Sequence, residues 1–133
     1  MKTYLTLIKQ TKADIKQIQK EMAQANQDKR SLEHQIEHML ETLEREHLEV
    51  SFHKTFFNPA YFDRMRNKLK AYRQLLQTKD EELTVLHNVL MDLFASQKKY
   101  EVVLEHLNNN TILEKRKEEA AQLEDVVRLK DSG

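Results

Sequence analysis

The sequence predicts an all-α protein: a long two-helix antiparallel coiled-coil hairpin with a C-terminal helical extension. Three observations carry that expectation. The sole glycine is Gly133, so no interior position offers the low-cost positive-φ backbone that hairpin turns and phosphate loops need. Two apolar stripes of nearly equal length alternate spacings of four and three residues. Between them lies the only proline, Pro59, in a stretch that gathers four of the five phenylalanines. At 133 residues, 33% charged and 39% hydrophobic, the chain is lean for a compact core and suits a single elongated coiled-coil domain.

The first stripe reads Tyr4, Ile8, Thr11, Ile15, Ile18, Met22, Ala25, Lys29, Leu32, Ile36, Met39, Leu43, Glu46 and Val50. Only Thr11, Lys29 and Glu46 depart from apolar or amphipathic character, and the register holds for ~70 Å at 1.5 Å per residue, predicting helix one over about 3–50. An aromatic turn follows at about 51–58. Asn58 is suited to cap the next helix and Pro59 to its first turn, where proline's missing N–H would go unbonded anyway. The second stripe is Phe62, Met65, Leu69, Tyr72, Leu76, Lys79, Leu83, Leu86, Leu90, Leu93, Gln97, Tyr100, Leu104 and Leu107, predicting helix two over about 59–107.

Charge favours the fold-back. Residues 1–30 carry seven basic and three acidic groups, 31–50 one and six, 51–80 seven and two, and 81–105 two and five. An antiparallel hairpin lays opposite blocks side by side. A parallel homodimer aligns like with like, so a monomer is expected. In this reading Lys54, Arg64, Arg66, Lys68, Lys70 and Arg73 pair with the acidic residues of 33–49 rather than with nucleic acid.

Beyond Leu107, three asparagines at 108–110 predict a hinge, and Thr111-Ile112-Leu113-Glu114 has the form of a capping box opening a tail helix over about 111–130. Leu113, Ala120, Leu123 and Val127 form an apolar stripe there that helix one has no residues left to cover. Val85, Val89, Phe94, Val102, Val103, Leu40 and Leu48 also fall outside the main stripes, which widens the apolar surface toward a third packing partner.

Little in the sequence carries catalytic chemistry. Without an interior glycine there is no phosphate loop, dinucleotide fingerprint or nucleophile elbow, and a two-helix hairpin encloses no cavity to desolvate a carboxylate pair. No enzyme activity and no cofactor are expected. His34 and His38, with Glu37 and Glu41, have helical spacing for a metal, but the pattern lacks the HExxH arrangement and reads as solvated histidines, so no metal site is assigned. The absence of cysteine suits a cytosolic protein. No apolar run approaches the ~20 residues that cross a bilayer and the N-terminus lacks a secretory h-region, so a soluble protein without membrane insertion is expected.

The aromatic corner has two readings. Phe52, Phe56, Phe57, Tyr61 and Phe62 either plug the end of the coiled coil or present anchors to a partner, and five aromatics exceed what one small turn buries.

Over its full length the chain resembles the FliJ family of flagellar export proteins and its injectisome counterparts, the YscO or SctO proteins. The likeness lies in the architecture and two soft motifs. Gln97-Lys98-Lys99 followed by Leu104-Glu105-His106-Leu107 is similar to the family's lysine stretch before Leu-Glu-x-Leu. Glu114-Lys115-Arg116-Lys117-Glu118-Glu119 leading to Leu123-Glu124-Asp125 is similar to its charged C-terminal run. The resemblance implies a cytoplasmic central stalk, peripheral to a membrane-embedded export apparatus. It would link an export ATPase hexamer to an export gate protein of the FlhA or SctV kind and promote ATPase assembly or activity, with export chaperones as further partners. It implies gate contacts at Met39, Leu43, His47, Phe52, Phe62, Met65, Leu69 and Tyr72, joined at the aromatic tip by Phe56, Phe57 and Tyr61. Ring contacts would be Leu5, Ile8, Leu113, Ala120, Leu123 and Val127. The alternatives are a prefoldin-like holding chaperone and a structural coiled-coil spacer.

Overall fold

The computed structural model describes residues 2–53 and 58–131. They form two helices, α1 (Lys2–His53) and α2 (Pro59–Asp131), with no strand among the described residues. Neither helix contains an interior glycine or proline, and α2 starts on its proline as the missing N–H demands. Asn58 caps α2. Its side-chain oxygen accepts from the Tyr61 N–H at 3.3 Å, and its carbonyl accepts from the Phe62 N–H at 3.3 Å, which makes Pro59 the first helical residue.

The exposed faces are stitched along the helix. Gln10, Gln17 and Gln24, seven residues apart, donate to Asp14, Glu21 and Asp28 one turn on, and Gln77 and Gln97 do the same to Glu81 and Glu101. Such pairs each add a few tenths of a kcal/mol to a helix. Arg128 and Lys130 lie in the last turn of α2, where cations complement the helix dipole.

The hinge expected at 108–110 is not formed: α2 runs through the asparagines without a break. Each asparagine costs roughly half a kcal/mol or more relative to alanine in a helix, but breaking there would require a second nucleation. Thr111, expected to open a capping box, instead returns its hydroxyl to the Leu107 carbonyl at 2.9 Å, a mid-helix bond.

Contacts gather into two compact units, Met1–Ile15 with Asp92–Gly133, and Lys16–Met91. In the second unit the helices run antiparallel, since Asp28 and Lys29 meet Lys79 and Asp80 while Glu46 meets Tyr61. Ala25, Met39, Phe62, Leu69 and Leu90 are buried, and the remaining stripe positions between them are half-buried. In the first unit Ile8, Thr11 and Ile15 are buried, Leu93, Gln97, Tyr100 and Leu104 half-buried, and the rings of Tyr4 and Tyr100 lie 6.3 Å apart. A seam residue between two helices meets one neighbouring helix, so solvent reaches its flank, and half-burial is what the architecture permits.

One seam layer is charged. Lys29 Nζ lies 2.7 Å from Asp80 Oδ1, and Lys79 Nζ lies 3.3 Å from Asp28 Oδ2. Each seam lysine therefore reaches the aspartate that adjoins the other. Lys79 is also held by Glu82 at 3.1 Å. The hydrogen bond to Asp80 raises the Lys29 ammonium above its ordinary 10.5, and the bonds to Glu82 and then Asp28 do the same for Lys79. The direct ion pairs expected between residues 33–49 and the basic residues of 64–73 are not formed among the described residues. Glu37, Glu41 and Glu44 are exposed on α1, as are Arg64, Arg66, Lys68, Lys70 and Arg73 on α2, so these blocks oppose as fields rather than as contacts.

Two measurements check this account. Asn58→Ala removes the cap acceptor and should lower unfolding free energy by about 1 kcal/mol in urea titrations followed by circular dichroism; an unchanged midpoint would discount the cap. Groups whose folded pKa lies above the unfolded value stabilise the fold fully below the unfolded pKa and lose that contribution as pH rises through the folded one. Thermal stability should therefore fall as pH rises beyond 10.5. Lys29→Met with Lys79→Met should flatten that decline.

Candidate partner-binding surfaces

The tip of the Lys16–Met91 unit is built on inward-facing aromatics. Tyr61, half-buried, donates its hydroxyl to Glu46 Oε1 at 2.9 Å, and its ring meets Phe62 edge-on with centroids 5.6 Å apart. That hydrogen bond, reinforced by desolvation, raises the Tyr61 phenol above its ordinary 10.0. It also accounts for Glu46, the one carboxylate in the α1 stripe. Phe62 is 7% exposed. These two aromatics plug the end of the seam, while Phe56, Phe57 and the side chain of Phe52 lie outside the described residues.

The other positions implied at the gate end divide by heptad position. Met39 and Leu69 are buried and Leu43, Met65 and Tyr72 half-buried, because they belong to the stripes that close the hairpin. Their surface is used within the chain. His47 is exposed, and beside it Leu40 and Leu48 are exposed apolar side chains.

At the other set, Ile8 is buried and so belongs to the seam, whereas Leu5 is exposed. On α2 every residue from 105 to 130 is exposed. Leu113, Leu123 and Val127 are 53%, 65% and 52% exposed, and Ala120 shares their face. Because α2 is continuous, the direction of this face follows from counting. Seam residues Leu93, Gln97, Tyr100 and Leu104 extend at heptad spacing to Thr111, Glu114, Glu118, Ala121, Asp125 and Arg128, nearly all polar. Leu113, Ala120, Leu123 and Val127 instead share a face turned away from the seam, while exposed Ile112, Val126 and Leu129 belong to neither stripe. Sequence reading saw an uncovered stripe; the unbroken helix turns it into a second face.

Chemically, these surfaces offer helix packing and charge. His34 and His38 are both exposed, and no group of three or more potential metal ligands forms among the described residues. No helix is long and apolar enough to cross a membrane, among the residues described.

The reciprocal Asp28, Lys29, Lys79 and Asp80 layer was missed by sequence reading, yet the sequence held its signal. Lys29 and Lys79 are the one lysine in each stripe and lie equally far either side of position 54, as do Thr11 and Gln97.

An exposed face makes a simple expectation. In dilute solution Leu123→Asp should leave the unfolding free energy within about 0.5 kcal/mol of the parent, while Ile15→Ala should cost about 2–4 kcal/mol. Equal losses for the two would mean the tail stripe is covered within the chain. Compared with protein-family models, curated proteins and solved structures, the chain matches none.

Proposed function

We propose that this chain is a non-enzymatic stalk and adaptor of a type III protein export apparatus, cytoplasmic and peripheral to the membrane-embedded export machinery. In this reading the helical tail engages an export ATPase ring, and the aromatic tip of the Lys16–Met91 unit engages the export gate. One observation carries the proposal: α2 bears an apolar stripe on a fully exposed stretch, where α1 supplies no covering residues. An exposed apolar helix face of this kind marks an interaction surface. The family resemblance of the two charged motifs supplies the identity of the partner, and the burial pattern revises which residues meet it. Leu113, Ala120, Leu123 and Val127 remain at the ring, with Leu5. At the gate end His47, Leu40 and Leu48 replace the buried seam residues as contacts.

The test follows ATP hydrolysis by an export ATPase with and without the chain. Stimulation should occur with the full chain and disappear when residues 111–133 are deleted. An ATPase that neither binds the intact chain nor responds to it at any stoichiometry would end the export reading and leave a helical hairpin with another partner.

A further inference from the structure

The second face of α2 has a composition that selects its own occupant. Residues 113, 116, 120, 123, 127 and 130 repeat at alternating spacings of three and four, a complete heptad seam of Leu113, Arg116, Ala120, Leu123, Val127 and Lys130. Each of these six is exposed on the continuous helix. We infer that the tail pairs with the tail of a second copy of this chain, antiparallel, to give a weak dimer in the uncomplexed protein.

Orientation is decided by the two cations in the seam. A parallel pair in register would set Arg116 against Arg116 and Lys130 against Lys130. It would also put Glu119 beside Glu124 of the partner subunit, so like charges would meet at both cationic seam positions and at this flank. In an antiparallel pair the two kinds of seam position alternate across the interface. Ala120 meets Leu123 of the partner subunit, small against large. Arg116 lays its aliphatic stem over Val127 of the partner subunit, and Lys130 does so over Leu113 of the partner subunit, with both heads reaching solvent. At the flank, Lys117 faces Glu124 of the partner subunit, and the two-fold axis repeats that pair. The arrangement removes each like-charge contact of the parallel form and replaces one of them with an ion pair.

The monomer expected from the charge blocks concerns the main seam, which the hairpin already fills; this interface uses a different face. Its length is under three heptads, so the dimer is transient, with dissociation in the micromolar range or weaker. The inference is independent of the export reading and fails or stands on different data.

Sedimentation equilibrium of the full chain across a concentration series tests it, with circular dichroism confirming unchanged helicity in each variant. The parent should pass from monomer to dimer and lose association as salt rises. Lys117→Glu and Glu124→Lys should each lower the association constant about ten-fold, since each reverses two symmetric pairs. Mixing the two variants should restore dimers that neither forms alone. A parent that stays monomeric throughout would overturn the inference. So would Glu124→Lys strengthening association, the result expected of a parallel pair, or a mixture that remains monomeric.

Discussion

The structure depends on where the two seam lysines fall. A long apolar heptad stripe specifies that two helices pack but only weakly their alignment, because sliding one helix by seven residues sets most apolar residues against other apolar residues. Lys29 and Lys79 remove that freedom. Each finds an aspartate across the interface only when it lies beside the other lysine, with Asp28 and Asp80 adjoining. Displaced by a heptad, Lys29 would lie opposite Leu86 or Tyr72, and an ammonium would lose its partner in an apolar layer. The ion pairs are largely solvated and add little to stability. Their effect lies in the alternatives they exclude.

That alignment was legible in the sequence, though not where it was sought. The alternating charge blocks gave the correct antiparallel sense, but Glu37, Glu41 and Glu44 of α1 and the basic groups of α2 near the tip remain exposed and form no ion pairs among the described residues. Long, outward-pointing side chains specify direction through their summed field and leave register undefined. Register was written in the exceptions to the stripe: a lysine matched with a lysine, and Thr11 matched with Gln97, at equal distances from the turn. Glu46 is the third exception, and its partner is a phenol from the first turn of α2 rather than a residue of the second stripe. A rule that counts only apolar positions discards these residues as noise.

The stripe itself transferred almost unaltered from sequence to structure. All fourteen positions named on α1 are buried or half-buried, and on α2 only Leu107 is exposed, at 37%. The same success explains why candidate contacts such as Met39, Phe62, Leu69 and Ile8 proved to be interior. Apolar periodicity identifies the face that a helix buries, and in a two-helix fold the first claimant on that face is the other helix. Contacts for a partner must therefore be sought among apolar residues that violate the period, and the tail is where those violations become a pattern of their own.

The asparagines at 108–110 take on a different meaning once α2 is continuous. A break there would have left the tail an independent segment, joined by a flexible connection and marginal as an isolated helix. An unbroken helix keeps the backbone rigid while the apolar face changes direction, so the polar run marks the end of one seam and the start of another. Three asparagines suit that position because they belong to neither seam and place no apolar residue where the two faces would otherwise merge. Leu107 at the end of the first stripe and Leu113 at the start of the second are both exposed, bounding the stretch that belongs to neither stripe. The helix thereby keeps the surface that closes the hairpin separate from the surface that can be shared, and a substitution on the second can alter association without weakening the first.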